Sequence, residues 1–127
     1  MYLKMAIKEA AKARHHHQLA AILVRGGKII AIAHNHSHVH AEHAALNRAW
    51  RSGTEGATMF VIRVKRSGTI GLSKPCQMCI DRMIQAGVRK VVYTDNEGNF
   101  QTMKLPKSTE PTAMSIKYRT ILWNKVA

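Results

Sequence analysis

The spacing of apolar residues changes period several times along the chain, and each change marks an element. Leu3, Ile7, Ala10 and Ala11 recur at helical spacing with Lys4, Lys8 and Lys12 on another face. Tyr2–Ala13 is therefore expected to form a helix, and alanine and lysine favour it. Past His15-His16-His17 the pattern becomes continuous: Leu19–Val24, then Gly26-Gly27, then Lys28–Ala33. Two β-prone runs across a Gly-Gly pair predict a hairpin, and their unbroken apolar character predicts strands covered on both faces. The His- and Asn-rich stretch His34–His40 reads as a loop leading into a helix over His40–Trp50. That helix packs through Ala44, Ala45, Leu46 and Ala49 and stops at Ser52-Gly53. Met59–Val64 is a third strand and Lys65–Gly71 a basic loop.

Pro75 stands at the entrance of the next helix, Cys76–Gln85, which Ala86-Gly87 ends. Val88–Tyr93 is a fourth strand. Asp95-Asn96-Glu97-Gly98 signals a turn, and the alternation over Phe100–Leu105 gives a fifth. So short a connection requires the last two strands to pair antiparallel, because a parallel partner needs a long crossover. Pro106–Pro111 reads as a linker. Thr112–Lys125 reads as a final helix with a stripe of Met114, Tyr118, Ile121 and Leu122. The order is that of a single α/β sandwich.

Composition narrows the class. A chain of 127 residues, 46% of them hydrophobic, has the length of one domain and enough apolar material for a core without disulfides. No run of about 18 apolar residues exists, so no membrane span is expected. Residues 1–14 lack the plan of a signal peptide. The two cysteines lie three positions apart, too close to staple distant segments. A reducing, cytoplasmic setting fits these features best. The net charge of +13 is the unusual quantity. It suits a protein that neutralises nucleic-acid phosphates, an enzyme that attracts a small phosphorylated substrate, or merely a soluble basic surface.

The chemistry is carried by His40-Ala41-Glu42 and Pro75-Cys76-Gln77-Met78-Cys79. A Cys-x-x-Cys pair can be a redox couple or half of a zinc site. The redox reading would place it after the first strand of a thioredoxin-like unit, whereas here it follows a third strand. With no further cysteine, histidine must complete a metal site, and His34, His36, His38, His40 and His43 are available. His40 is favoured because it stands where a loop enters a helix, with Glu42 two residues on. Cys76 stands at another helix entrance, where the positive end of the helix favours thiolate. One imidazole and two thiolates can hold Zn²⁺ and leave a fourth position for water, which is the arrangement of a catalytic site. Glu42 can then move protons. Its alternative role is a favourable acid in a first helical turn. The run His15-His16-His17 offers no defined geometry and reads as surface.

Together the two motifs form the signature H-x-E…P-C-x-x-C, and the chain resembles the zinc-dependent cytidine and deoxycytidylate deaminase family from about Leu19 to Leu105. Supporting matches are the strand-Gly-Gly-strand hairpin, Asn35, Ser73-Lys74-Pro75-Cys76 and Ala86-Gly87-Val88. The resemblance implies a three-layer α/β/α sandwich with a five-stranded mixed sheet, a single deaminase domain over residues 1–127. It implies zinc on His40, Cys76 and Cys79 and proton transfer by Glu42. Main-chain N–H groups of Ala41 and Cys76 would point at the reacting centre, Asn35 would contact the sugar, and Ser73 would lie by the base. Tyr93 and Phe100 could stack on a base or belong to the core.

Family members acting on free nucleosides turn back sharply into an antiparallel fifth strand, whereas nucleic-acid editors insert a helix and run it parallel. The turn at Asp95 therefore implies a small substrate: a cytosine nucleotide or nucleoside (CMP, dCMP, cytidine or deoxycytidine) converted to its uracil form with release of ammonia. Two alternatives stay open: a deaminase of single-stranded DNA or RNA, and a non-catalytic basic zinc module that binds nucleic acid. The short loop from Asn35 to His40 leaves little room for insertions that would carry triphosphate regulation. A homo-oligomer is expected from the family.

Overall fold

Among the described residues, nine segments adopt regular structure in the order α1 (Tyr2–Ala10), β1 (Gln18–Arg25), β2 (Lys28–His34), α2 (Ala41–Ala49), β3 (Thr58–Val64), β4 (Ile70–Gly71), α3 (Gln77–Gln85), β5 (Lys90–Thr94) and β6 (Phe100–Lys104). The computed structural model describes residues 2–50 and 53–107. The expected last helix, Thr112–Lys125, lies outside them. The strands form one sheet in the order β2-β1-β3-β5-β6, with β4 pairing on β3. Only β3 and β5 run parallel, and the crossover between them carries β4 and α3. The other pairs are antiparallel, so the sheet is mixed as expected.

Strand alternation divides the core in two. On one face Ala21, Leu23, Met59, Val61 and Val91 pack with Ala41, Ala45, Leu46 and Ala49 of α2 and Cys79 and Met83 of α3. On the other, Ala20, Ile22, Val24 and Ile62 pack with Ala6 and Ala10 of α1. Neighbouring residues of β1 and β3 point to opposite faces, so the middle of each strand is apolar at consecutive positions. The result is three layers: α1, the sheet, and α2 with α3.

The hairpin forms at Gly26-Gly27, both with positive φ (57° and 77°). Two such residues in a row favour glycine and match the twist of a two-residue hairpin. Its strands are not equivalent. β1 lies between β2 and β3, whereas β2 is a sheet edge with several half-exposed positions. The expectation that both strands are covered on two faces holds for β1 alone. β4 escapes the apolar pattern because it is two residues long. α1 ends at Ala10, where N–H groups of Lys12 and Ala13 bond three residues back, to Glu9 and Ala10. The helix thus tightens into a turn before Ala13.

The β5–β6 turn is built on Asp95. Its Oδ1 accepts from the main-chain N–H of Glu97 and of Asn99, both at 2.9 Å, and Oδ2 accepts from Gln101 Nε2 at 3.0 Å. The Gln101 bond and the Asn99 N–H hold the carboxyl below the usual carboxylate range. Phe100 is 48% exposed and Tyr93 packs on the α2/α3 core. Neither lines the pocket described below.

Candidate metal centre and pocket

His40 and Cys76 are the residues immediately before α2 and α3. Both have extended backbones (φ −68°, ψ 153° and φ −71°, ψ 164°), and neither side chain caps its helix. At this position a short polar side chain normally accepts a free N–H of the first turn. Here both side chains turn toward each other instead. Cys79 follows in the first turn of α3. The His40 Nδ1 lies 3.3 Å from Cys79 Sγ and 3.7 Å from Cys76 Sγ, and the three ligand atoms lie within 4.8 Å of one another.

These distances fit a shared cation. Zinc–sulfur and zinc–nitrogen bonds of ~2.3 and ~2.0–2.1 Å at tetrahedral angles put the two donor types ~3.5–3.6 Å apart. The electrostatics point the same way. Burial first, then the neighbouring Glu42 and Cys76, push the Cys79 thiol well above its ordinary range. Cys79 is 1% exposed. Two crowded thiols beside a carboxylate make an unfavourable anionic cluster, and a bound dication inverts that preference.

Glu42 lies in the first turn of α2 and is 3% exposed. Burial raises its pKa, opposed by its own main-chain N–H and by His40. His40, Ala41, Glu42 and Cys76 line one pocket of about 510 Å³. Its other walls come from His15, His17, Leu19, Asn35, Arg63, Ser73 and Lys74, among others.

Asn35 and Ser73 reach this pocket with their polar groups already engaged. Asn35 Oδ1 accepts from Leu19 N at 2.9 Å, and Nδ2 donates to His17 O at 2.7 Å. Its side chain ties the end of β2 to the segment entering β1. The Ser73 hydroxyl donates to Val61 O at 2.7 Å and accepts from Thr94 N at 2.8 Å. The wall residues His15, His17 and Arg63 lie outside the matched motifs, whereas Lys74 stands within Ser73-Lys74-Pro75-Cys76. His15 and His17 are brought in by the segment between α1 and β1, and Arg63 by β3. Pairing of Leu19 with Arg63 places those two segments side by side. The histidine run, read as surface, is in part pocket wall.

Around the centre, His43 of α2 accepts from Arg82 Nη1 of α3 through Nδ1. Burial, then Arg82 and His40, lower the pKa of His43 and keep it neutral. On the opposite face, His34 Nδ1 meets Glu9 Oε2 at 2.6 Å, joining β2 to α1.

An α/β/α sandwich with three side chains that could hold a metal at two helix starts, and a buried carboxylate on the same pocket wall, is a build suited to a zinc-dependent hydrolytic centre. Residues 1–95 match the cytidine and deoxycytidylate deaminase zinc-binding region, and the chain belongs to that family. It is 37% identical over 105 residues to the tRNA-specific adenosine deaminase of Bacillus subtilis (strain 168), a match covering 73% of this chain and 59% of that protein. The chain thus spans less than two thirds of that relative. Among solved structures, the dCMP deaminase of cyanophage S-TIM5 superposes with a TM-score of 0.57 at 22% identity, over 95% of this chain and 88% of that one. The diaminohydroxyphosphoribosylaminopyrimidine deaminase/reductase of Thermotoga maritima gives 0.56 at 22% identity, over 96% and 33%. The last two show likeness of fold. Among the described residues, no helix is long and apolar enough to cross a membrane.

Proposed function

We propose that the protein hydrolytically deaminates a cytosine nucleotide or nucleoside to its uracil form, releasing ammonia. The observation that carries this reading is the burial of Glu42 at the pocket wall beside His40 and Cys76. His40, Cys76 and Cys79 would hold zinc, which would supply a Lewis acid that makes a bound water more acidic. Glu42 takes a proton from the attacking water at its carboxylate and delivers it to the ring nitrogen next to the amino-bearing carbon as the C–O bond forms. It then takes the proton of the new hydroxyl and delivers it to the amine, so that the C–N bond breaks and ammonia leaves as the carbonyl forms. Burial raises the pKa of Glu42, which favours its acting as an acid as well as a base. The Ala41 N–H, at the start of α2, is one of the helix's free donors and lies against the pocket.

A pocket of about 510 Å³ suits a small ligand. The tight antiparallel return of β6 supports the same choice, since no inserted helix opens a groove beside the sheet. A second reading, deamination of a base within RNA or DNA, is supported by the likeness to a tRNA-specific deaminase and by the charge of +13.

Ammonia release from cytidine, deoxycytidine, CMP, dCMP, single-stranded oligonucleotides and tRNA separates the two. The small-substrate reading expects turnover of monomers, abolished by Glu42→Ala with zinc still bound. Turnover of polynucleotides alone, with inert monomers, would sink it.

A further inference from the structure

The pocket wall carries positive charge that the hydrolytic chemistry does not use. Arg63 and Lys74 line it with His15, His17 and His38, and Glu42 is the one carboxylate among the lining residues. Neither Arg63 nor Lys74 forms an ion pair with a carboxylate among the described residues. Arg63 Nη2 donates to His17 Nδ1 at 2.9 Å, and Arg63 Nε is buried with no hydrogen-bond partner. A buried guanidinium donor without an acceptor is costly, and an anion placed there would relieve that cost.

The imidazoles are set as donors too. His17 Nδ1 accepts from Arg63, and His15 Nδ1 faces the His17 main-chain N–H at 3.3 Å. In a neutral ring the second nitrogen then carries the proton, leaving a free Nε2–H on each. Gly71 pairs with Arg63 across β3 and β4. A Cβ there would stand 2.9 Å from Lys65 Cε and 3.6 Å from Arg63 Cδ. The missing side chain at Gly71 leaves room for Lys65, and Arg63 passes beside it in ordinary contact.

We propose that Arg63, Lys74, His15 and His17 form a subsite for a phosphate monoester on the sugar of the substrate, so that the protein acts on a mononucleotide in preference to a free nucleoside. The proposal rests on the small-substrate reading above and deepens it. With the base at Glu42 and the zinc ligands, the sugar spans the pocket and its phosphate meets the basic wall. A phosphodiester within a polynucleotide would offer the same anion, and the test distinguishes the two sources.

Two measurements on the zinc-loaded protein test this. The first is calorimetric binding of ribose 5-phosphate, which has the anion and no base. Binding that Arg63→Ala and Lys74→Ala each weaken supports the subsite even if cytosine is not the base. Lys74 is exposed, so its replacement leaves the sheet intact. The second is the ratio of kcat/KM for CMP over cytidine, and for dCMP over deoxycytidine. It should exceed one and fall by about tenfold to a hundredfold in Arg63→Ala, the range of a lost hydrogen bond to a charged group. Arg63→Lys should restore part of it. Equal kcat/KM for nucleoside and nucleotide, with no binding of ribose 5-phosphate, would overturn the subsite while leaving a deaminase. Oligonucleotide turnover exceeding that of CMP would assign the wall to a phosphodiester and overturn the monoester.

Discussion

Glu42 and Glu9 are the two glutamates buried among the described residues, and they are buried for different ends. Burial raises the pKa of Glu42, opposed by its own main-chain N–H and by His40. Its expected role is proton transfer, so Glu42→Gln should lower turnover by about 10²–10⁴-fold, the usual contribution of a positioned acid–base group. Zinc content measured alongside should stay at wild-type level. Glu9 is a structural carboxylate. Burial pushes its pKa up, but hydrogen bonds from His34 and Lys12 outweigh this and leave it below its ordinary value of 4.5. A carboxyl with a lowered folded pKa stabilises the fold above its unfolded value, and that contribution fades as pH falls through the folded one. Wild type should therefore lose more stability than Glu9→Gln on acidification below about pH 4.5, read by thermal melts across pH. The sequence distinguishes these two glutamates only in part. Glu42 stands in a motif, whereas the partner of Glu9 lies 25 positions away on another strand. Asn35 shows the converse: its position points to sugar contact, yet its carboxamide bridges two segments of the fold, a bond no local pattern reveals.

The elements that hold the centre are short, and their starts matter more than their lengths. α2 and α3 have nine residues each, below the length at which an isolated helix is stable in water. Packing on the sheet supplies most of their stability, and the Arg82–His43 bond links them directly. Arg82→Ala should lower the denaturation free energy by about 1–3 kcal/mol, the range for a hydrogen bond to a charged group, with a shifted urea midpoint as the readout. Periodicity and stop signals placed both helices to within a residue or two, as they did β1, β3 and the last hairpin. What they missed has physical causes. β4 is too short to show a period. β2 carries an apolar run yet lies at the edge, because neighbour order is a property of the sheet and not of the strand. The place of His15 and His17 in a pocket wall follows from the pairing of β1 with β3, which brings residues 46 positions apart into contact.

At the scale of the whole molecule, the sheet holds two helix starts over one end and leaves α1 on the opposite face. Fold class, mixed sheet and antiparallel final pair were legible because the chain's turns are short and its crossover long. The substrate was not, since it depends on side chains gathered from four segments. The metal is expected to act on the entire fold. The metal would link the starts of α2 and α3 through His40, Cys76 and Cys79, and removing it withdraws that binding free energy from the folded state. Chelation should therefore lower the melting temperature of the whole domain. The loss should approach ~4 kcal/mol where free zinc had stood a thousandfold above its Kd. A melt unchanged by chelator in a protein verified to have lost zinc would contradict this.

The two uncapped helix starts carry a consequence for how the chain tolerates change. His40 and Cys76 occupy positions where an aspartate or a serine would make the better helix. Selection for robustness alone would replace both. Cys76→Ser, compared with wild type in the metal-free state, should raise stability by ~0.5–1 kcal/mol while abolishing turnover. The same two positions would then mark where a descendant of this chain that had lost its chemistry drifts first, toward a sturdier and inert protein.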